Sequence, residues 1–361
     1  MKTEKKIVLY IDMMYRGGAQ RVMANIANYL IEKQYSVVLV NDFEPDPDIM
    51  QYQVSDKVKR VFLRKDLRGN VVKKNIDRLL ELRKIVKKEN PDAVLSFLGR
   101  PNIRMLLSTL GLSYKKIVSV RNDPYKEYGS SALKKWIANL LFYTANGCVF
   151  QTEDASLYFS KTIREKSVVI LNPVDDKFFN IIRENKVRNI ITFGRLEPQK
   201  NHILLIHAFS KVADAFPNEN LIIYGEGSLR KELEKEIKDN NLEGRVFLPG
   251  NTSNVEEKLS SAKLFVLSSD YEGLPNALME AMAVGVPCVS TDCPSGGPKT
   301  LINDNQQGLL IKCNDAEKMA EAIKQVLSDS SAEAMGLAAK ERAQVFRGEN
   351  ILRQWEEFIF G

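Results

Sequence analysis

Two glutamates, Glu272 and Glu280, bracket the segment of this chain with the clearest potential for chemistry. An apolar run typical of a strand precedes them, and Gly273 and Pro275 follow the first glutamate. Because proline loses no needed N–H in a first helical turn, the sequence predicts a helix from about Pro275 to Val284. Its first N–H groups would suit a phosphate, and Glu280 would lie more than one turn inside the helix. Carboxylates on both sides of a phosphate favour a sugar nucleotide as ligand; a capped helix with a solvated glutamate is the alternative.

Two cations follow the strand predicted at 189–194, where Gly194 allows a turn before Arg195 and, farther on, Lys200. The two side chains could converge on one anion from a loop and a helix start. Without such an anion the two cations would repel each other. An ion pair with Glu197 is the structural alternative.

Glycine turns follow three more predicted strands. Gly17 and Gly18 separate the first strand from its helix, and adjacent glycines let a backbone approach a ligand closely. Gly225 and the pair Pro249 and Gly250 occupy similar places later in the chain. None of these turns has the spacing of a dinucleotide-binding or P-loop motif.

Taken in order, these segments resemble the motifs of retaining glycosyltransferases of family 4. The two glutamates are similar to the family's E-x7-E signature, residues 194–201 to its G-R-x-x-x-x-K-N motif, and residues 17–21 to its G-G-A-E/Q-R loop. The resemblance covers roughly residues 7–345. It is nearest to transferases that extend polyprenyl-diphosphate-linked oligosaccharides or build capsular and exopolysaccharide repeat units.

The resemblance implies a division of roles among these residues. Arg195 and Lys200 would hold the leaving diphosphate, Glu272 would contact the transferred sugar, and Glu280 would bind the ribose. We therefore expect Arg195, Lys200 and Glu272 to be catalytic. The residues expected to bind the donor are Gly17, Gly18, Gly194, Gly225, Pro249, Gly250, Gly273, Leu274, Asn276 and Glu280. The turn at 295–298 is not among them and is predicted to be a simple helix cap.

Neither a metal nor another cofactor is expected, and a UDP-sugar is the donor substrate that the resemblance implies. Asp46 and Asp48 form a D-x-D, the metal motif of another glycosyltransferase class, but they lie in a proline-rich loop of the first domain rather than the second. Side-chain cations and helix N-termini would then neutralise the leaving diphosphate.

The acceptor side departs from the family's pattern. Many relatives carry a histidine in the loop after the fifth strand, whereas this loop contains Arg121, Asn122 and Asp123, and the first domain has no histidine. One of these residues, or the acceptor itself, would take the histidine's role. Arg100 and Arg104 could meet an acceptor diphosphate. The expected acceptor-side residues are Arg16, Arg100, Arg104, Arg121 and Asn122.

Continuous apolar strands and amphipathic helices follow each other along the whole chain, which indicates parallel sheets covered on both faces. The pattern restarts after a polar linker at 175–188. We therefore predict an α/β chain of GT-B architecture, with two doubly wound Rossmann-like domains facing across a cleft. The expected boundaries are 1–172 for the acceptor-binding domain, 173–345 for the nucleotide-sugar-binding domain and 346–361 for a C-terminal helix that crosses back to the first domain.

The composition is that of an ordinary soluble globular protein, with 44% apolar and 27% charged residues. Neither an uncharged apolar run long enough to span a bilayer nor a signal-peptide core is found. The four cysteines lack metal-binding spacing and are expected to be reduced, and the two histidines argue against zinc. These features predict a cytoplasmic protein.

The net charge of +6 is unevenly distributed, with thirteen basic residues against three acidic ones between Lys57 and Lys88. This segment predicts docking of the first domain on an anionic membrane surface, peripheral on the inner face of the cell membrane. A solvated helix face is the alternative; nucleic acid is not expected, because aromatic residues are not interleaved with the cations. The helix at 133–142, which carries Trp136, is predicted to bury its apolar side chains in the core.

Together, these features predict a retaining, metal-independent transferase. It would move a hexose or N-acetylhexosamine from a UDP-sugar to a lipid-linked glycan acceptor in bacterial surface polysaccharide biosynthesis. A UDP-sugar epimerase of the same fold and a catalytically silent sugar-nucleotide-binding protein are the alternatives.

Overall fold

The computed structural model describes residues 5–15, 17–44, 46, 51–63, 70–183 and 189–361. The chain divides into two compact units: unit 1 comprises Met1–Pro173 together with Glu349–Gly361, and unit 2 comprises Val174–Gly348. The sequence placed these two junctions at 172/173 and 345/346.

Unit 1 is built on a parallel sheet with seven strands among the described residues. In chain order they are β1 (Lys6–Tyr10), β2 (Ser36–Asn41), β3 (Lys59–Phe62), β4 (Ala93–Phe97), β5 (Lys115–Ser119), β6 (Gly147–Phe150) and β7 (Ser167–Val169). The spatial order is β3-β2-β1-β4-β5-β6-β7, and every pairing is parallel.

Helices cover both faces of this sheet. They are α1 (Gly18–Glu32), α2 (Val71–Glu89), α3 (Gly99–Ser108), α4 (Pro124–Tyr128), α5 (Ala132–Tyr143), α6 (Glu153–Ser156) and α7 (Lys161–Arg164). Ile7 and Leu9 of β1 pack with α1 and with the C-terminal helix (Gly348–Phe360), whereas Val8 and Tyr10 pack with α2, α3 and α5. The strands are therefore apolar on both faces, as expected of a covered parallel sheet.

Unit 2 repeats this plan around six described strands: β8 (Asn189–Phe193), β9 (Asn220–Tyr224), β10 (Val246–Gly250), β11 (Ala262–Leu267), β12 (Cys288–Thr291) and β13 (Leu309–Ile311). The spatial order is β10-β9-β8-β11-β12-β13, all parallel. Its helices are α8 (Asp176–Phe179), α9 (His202–Ser210), α10 (Arg230–Asp239), α11 (Val255–Ser260), α12 (Asn276–Val284), α13 (Gly297–Leu301), α14 (Ala316–Ser328) and α15 (Ala332–Ala343), with 3₁₀ helices at Pro198–Lys200 and Gln344–Phe346; the C-terminal helix is α16. The predicted linker thus contains a short helix, α8.

Both sheets place the predicted site segments at the carboxyl ends of strands. The strand order reverses between β1 and β4 in unit 1 and between β8 and β11 in unit 2, and ligands of doubly wound sheets bind beside such reversals. Gly17 follows β1, Gly194 follows β8, and Glu272 follows β11. The prediction of two doubly wound α/β units is confirmed.

The outer face of α5 contradicts an expectation from sequence. Only Ala138 and Phe142 of this helix are buried. Its exposed large apolar residues are Leu133, Trp136, Ile137, Leu140 and Tyr143. The helix is apolar around most of its circumference, and one stripe suffices to contact the core, so the other stripe faces solvent. The prediction that α5 buries its apolar side chains is therefore wrong for this face.

The four cysteines carry free thiols, and Cys148, Cys288 and Cys293 are buried. Burial raises the pKa of Cys148 to about 12, which keeps its thiol uncharged. Free thiols agree with the prediction from their spacing.

His202, the first residue of α9, is a buried histidine beside the cations of the loop that precedes it. Burial, and secondarily the charge of Lys200, lower the pKa of its imidazole from 6.5 to about 4. The folded unit therefore holds this ring neutral under conditions where an unfolded chain would protonate it.

We predict that the stability of unit 2 falls with acidification through the His202 ring. Because the folded pKa is depressed, the unfolded chain binds the proton more readily, and the stability lost between pH 7 and pH 5 should be about 2 kcal/mol. His202→Gln should remove most of this slope in urea unfolding followed by circular dichroism across that range.

His207 provides the matched control, since it is the only other histidine of the chain and its side chain is partly exposed. His207→Asn should leave the slope attributed to His202 in place. An unchanged slope in His202→Gln would show that other groups cause the acid sensitivity.

Candidate active site

Three strand ends of unit 2 form a shelf of glycine backbone, called here the glycine shelf (Gly194, Gly225 and Gly250). The Gly194 N–H donates to Tyr224 O at 3.0 Å, and the Gly225 N–H donates to Gly250 O at 2.9 Å. Gly225 has φ +146°, and a Cβ there would overlap the carbonyl oxygen of Gly194. Only glycine fits at this position, so the neighbouring backbones meet without a side chain between them. Pro249 lies exposed next to the shelf.

Arg195 is exposed immediately after the glycine shelf. Its guanidinium Nη2 lies 3.5 Å from Gln199 Oε1. Glu197 is engaged elsewhere, because its carboxylate accepts hydrogen bonds from the Ser228 N–H at 3.0 Å and the Ser228 hydroxyl at 2.8 Å. These hydrogen bonds lower the pKa of Glu197, with Arg195 a lesser influence. Glu197 thus fixes the next loop, and the Arg195 guanidinium reaches solvent at the strand ends.

Lys200 and Glu272 form a buried ion pair that joins the loop after β8 to the loop after β11. The Lys200 ammonium donates to Glu272 Oε1, and the Ser269 hydroxyl donates to the same oxygen at 2.7 Å. Gln199 Nε2 donates to Tyr271 O at 2.9 Å and lies 3.5 Å from Glu272 Oε2. The structure therefore brings together two residues that the sequence analysis had assigned to different parts of the donor.

The backbone of Lys200 is fixed to the end of β11. Asn201 has φ +43° and caps α9, where its side chain accepts from the Leu204 N–H at 3.2 Å. Its amide nitrogen donates to Asp270 Oδ1 at 2.8 Å. The Ser268 hydroxyl donates to Lys200 O at 2.8 Å. The ammonium therefore projects from an anchored main chain.

The loop that carries Glu272 packs against the segment that leads into the turn at 295–298 and against the turn itself. The Glu272 N–H donates to Pro294 O at 3.3 Å. A Cβ on Gly297 would overlap the carbonyl oxygen of Gly273, so the two backbones touch directly. The turn was predicted to be only a helix cap. It also fixes the position of the loop that carries Glu272.

Helix α12 begins one residue later than expected, with Pro275 just before its first residue, Asn276. Leu274 in the preceding loop is buried. Glu280 is also buried, and it lies one turn into the helix. The alternative in which this glutamate is solvated is therefore wrong, and both glutamates of the pair are held inside the protein.

In unit 1, Gly17 precedes α1 and Gly18 is the first residue of that helix. The Gly17 carbonyl accepts from the Arg21 N–H at 3.0 Å, which closes the first turn. Arg16 lies outside the described residues.

Arg104 is engaged inside unit 1. Its Nη1 contacts both oxygens of Asp42, at 2.6 and 2.5 Å, and it also donates to the Tyr10 hydroxyl. Burial and the Asp42 charge raise the pKa of Tyr10, so the phenol stays protonated. Arg100, near the start of α3, is exposed. Of these two arginines, only Arg100 presents its side chain to solvent.

Arg121 lies buried at the end of β5. It donates to Asn172 Oδ1, and its guanidinium stacks over Phe97 at 4.8 Å. Burial lowers its pKa to about 9, and burial raises the pKa of the nearby Glu127 to about 8 against the attraction of Arg121. Asn122 Oδ1 is buried without a hydrogen-bond partner among the described residues. The loop without histidine therefore gathers polar groups that have been removed from water.

Several residues that shape the site were not predicted from the sequence. Ser269 and Gln199 contact Glu272, and Glu127 faces Arg121. Gln199 lies within the 194–201 motif and Ser269 lies just before Glu272. Their positions in the sequence could therefore have indicated a role in the site. Glu127 had no such signal, because only the fold of α4 brings it to the loop after β5.

The D-x-D segment is only partly described. Asp46 donates its N–H to the Tyr15 hydroxyl at 3.2 Å, and Asp48 lies outside the described residues. Across the ranges that the structure covers, no group of three or more His, Cys, Asp or Glu side chains is arranged to hold a metal ion.

Two family models match successive parts of the chain. The model described as Glycosyltransferase Family 4 matches residues 16–178, and the one described as Glycosyl transferases group 1 matches residues 174–342. The first covers most of unit 1 and the second most of unit 2. The segments singled out above lie within these matches.

Full-length relatives carry names of transferases. GalNAc-alpha-(1->4)-GalNAc-alpha-(1->3)-diNAcBac-PP-undecaprenol alpha-1,4-N-acetyl-D-galactosaminyltransferase of Campylobacter jejuni is 27% identical over 98% of both chains. UDP-Gal:alpha-D-GlcNAc-diphosphoundecaprenol alpha-1,3-galactosyltransferase of Escherichia coli is 26% identical over 98% of this chain and 95% of its own.

Solved structures share the fold. Alr3699/HepE of Anabaena, in complex with UDP and glucose, superposes with a TM-score of 0.82 at 16% identity, over 98% of this chain and 99% of its own. This superposition shows that the chain has the GT-B fold, in agreement with the strand orders described above. Since the two family models together extend from residue 16 to residue 342, the chain belongs to the glycosyltransferases of family 4.

Proposed function

We propose that this protein is a retaining glycosyltransferase that moves a hexose or N-acetylhexosamine from a UDP-sugar to a lipid-linked glycan in bacterial surface polysaccharide biosynthesis. The observation that carries the proposal is the grouping of Arg195, Lys200 and Glu272 beside the glycine shelf of unit 2. An exposed guanidinium and an anchored ammonium lie where a diphosphate would rest on bare backbone.

When a donor binds, the two members of the Lys200–Glu272 pair would each contact a different part of it. The ammonium would turn toward the diphosphate, whose negative charge grows as the bond to the sugar breaks. The carboxylate would then accept hydrogen bonds from hydroxyls of the transferred sugar. The Ser269 hydroxyl keeps Glu272 in place during this exchange, because it donates to the same carboxylate oxygen as Lys200.

Glu280 would bind the ribose. It lies one turn from the start of α12, so the first N–H groups of that helix would lie between the ribose and the transferred sugar. The positive end of the helix dipole would add to the two cations there.

The acceptor and the stereochemistry are inferred from relatives. The Campylobacter and Escherichia proteins are named for undecaprenol-linked diphosphate acceptors and for alpha linkages. The Escherichia protein is also named for UDP-Gal, and an alpha product from an alpha-linked nucleotide sugar is retention. In unit 1, exposed Arg100 and the polar loop around Arg121 and Asn122 would serve the acceptor.

The direct test is a panel of UDP-sugars incubated with short polyprenyl-diphosphate glycans. A mass increment of one sugar on the acceptor, with an alpha anomeric signal by NMR, is expected. Interconversion of the UDP-sugar without any acceptor product would show an epimerase, and tight UDP binding without any product would show a binding protein.

We predict that Arg195→Ala lowers kcat by about two to three orders of magnitude, or about 2.7–4 kcal/mol, the usual effect of removing one preorganised electrostatic group. The exposed side chain makes this a clean change, so the unfolding temperature should not move. Lys231→Ala in α10, an exposed cation outside the site, is the control and should retain full turnover.

Lys200→Ala should lose turnover and also stability, because it leaves the Glu272 carboxylate buried without its partner. Near-normal turnover in both site variants would place the donor elsewhere.

Substitution of the two glutamates should affect different ligands, UDP for Glu280 and the sugar of the UDP-sugar for Glu272. Glu280→Gln should weaken UDP itself by about 1.5–3 kcal/mol for the lost charge-assisted hydrogen bond. Glu272→Gln should preserve or improve UDP affinity, since it frees the Lys200 ammonium, while it impairs turnover of the UDP-sugar. Calorimetry with UDP and steady-state kinetics measure the two effects; equal losses of UDP affinity would contradict this division.

Chelation provides a further prediction. Activity should persist in excess EDTA, because side-chain cations and the α12 N-terminus would neutralise the diphosphate. The check is initial rates before and after dialysis against chelator, with Mg²⁺ or Mn²⁺ added back. Loss on chelation that either ion restores would revive Asp46 and Asp48 as ligands.

A further inference from the structure

Helix α5 of unit 1 presents a continuous apolar stripe to solvent. Leu133, Trp136, Ile137, Leu140 and Tyr143 recur at helical spacing, and between 43% and 66% of each residue is exposed. Ala138 and Phe142 on the opposite side hold the helix to the core. Exposed apolar stripes of this size on a soluble protein mark an interaction surface.

The charge around this stripe is positive. Lys134 and Lys135 lie within α5, which contains no acidic residue. Lys161, on the neighbouring α7, is 84% exposed, with Glu165 the nearest acidic partner at 3.9 Å. The Lys135 ammonium lies over the buried ring of Tyr158 at 5.4 Å, on the core side of the helix, so Lys134 is the exposed cation of α5.

Helix α2 adds a second stripe in the same helical layer. Helix α3 contacts both α2 and α5, and all three pack on one face of the sheet. The outer side of α2 exposes Val72, Ile76 and Leu80 in its first half. Lys84 and Lys87 continue this side toward its end and are exposed.

Several cations of the basic segment at 57–88 are engaged within the unit. Lys59 pairs with Glu89 at 2.7 Å, and Arg83 donates to the carbonyls at the end of α3, at 2.8 Å from Ser108 O. Arg78 stacks on Phe43 at 4.8 Å. Arg64, Lys65 and Arg68 lie outside the described residues. The charge of this segment therefore supports docking less strongly than the sequence indicated, and the exposed apolar stripes of α5 and α2 support it more strongly.

We propose that the outer faces of α5 and α2 form a docking surface for an anionic lipid bilayer, with the α5 stripe inserted at the level of the headgroups. This inference does not depend on the proposed function. Tryptophan and tyrosine favour the interface between headgroups and hydrocarbon, and flanking lysines match anionic headgroups. None of the helices in the described part of the chain is long and apolar enough to span a bilayer.

A second copy of the chain is a poorer match for this surface. Interfaces between proteins are depleted in lysine, whereas exposed lysines flank this stripe, Lys134 on α5 itself and Lys161 on the neighbouring α7. Lysine stems can lie along an apolar surface while their ammonium groups reach phosphates above it. The arrangement therefore favours lipid.

The two tryptophans of the chain allow the surface to be located directly. Trp136 is 61% exposed, whereas Trp355 is buried in the core of unit 1. With the full-length protein and vesicles of phosphatidylcholine and phosphatidylglycerol, brominated lipid should quench Trp136 fluorescence. Trp136→Phe should still bind the vesicles but lose the quenching, because Trp355 is out of reach. Binding without quenching of Trp136 would overturn the proposal.

Matched variants test the energetic contribution of the stripe. Trp136→Ser combined with Leu140→Ser should weaken vesicle co-sedimentation by about tenfold or more, as expected for two lost apolar insertions. Leu337→Ser, 69% exposed in unit 2, should change nothing. Thermal unfolding shows that each variant remains folded.

The charge component has its own test. Lys84→Glu with Lys87→Glu should remove the preference for vesicles that contain phosphatidylglycerol over phosphatidylcholine alone, as should high salt. Unchanged binding of the serine variant would overturn the proposal. So would concentration-dependent dimers that the serine variant abolishes without any vesicle binding, since the stripe would then join two copies of the chain.

Discussion

The ion pair between Lys200 and Glu272 determines how the candidate site of unit 2 is built. Both side chains are largely removed from water, so neither charge could remain there alone. Each depends on a further layer: Asn201 and Ser268 hold the lysine backbone, and Ser269 and the turn at 295–298 hold the glutamate. A buried pair of this kind contributes little net stability, but it fixes two loops from different strands in one register.

The same constraint explains the chemistry that the site can support. Because the lysine and the glutamate carry opposite charges, the two loops attract each other at this point instead of repelling. A ligand that carries an anion and hydroxyl donors can replace each partner of the pair without leaving a charge stranded. Ligands with only one of these features would leave one member of the pair uncompensated, which makes the pair a means of discrimination.

Much of this arrangement could be predicted from sequence because it is local. The strand at 93–97, the helix that ends at Val284 and the glycines after β8, β9 and β10 all follow from apolar runs and turn residues. The partners of Lys200 could not be predicted, because Glu272 lies on a loop after a different strand, and a contact that long in sequence depends on side-chain packing. The face of α5 could not be assigned either: a helix with apolar residues on both sides gives no signal for which side meets the core.

The ends of unit 1 show a similar limit of local inference. A helix at 346–361 that crosses back to the first domain was expected, whereas the residues that it contacts there could not be predicted, because they are distant in sequence. Trp355 packs against Phe97 at 5.4 Å between ring centres and lies beneath the guanidinium of Arg121. Glu356 accepts hydrogen bonds from the hydroxyls of Tyr29 and Tyr35. The loop that contains Arg121 is therefore supported by helix α16.

This placement of α16 makes unit 2 an insertion within unit 1, since residues on both sides of it complete one core. During synthesis, all of unit 2 leaves the ribosome before Trp355 does. Unit 2, a continuous segment, can thus fold first, while one face of the unit 1 sheet is covered by α1 but not yet by α16. The loop that contains Arg121 would acquire its support last, so a nascent chain could hold a finished unit 2 before it has a finished unit 1.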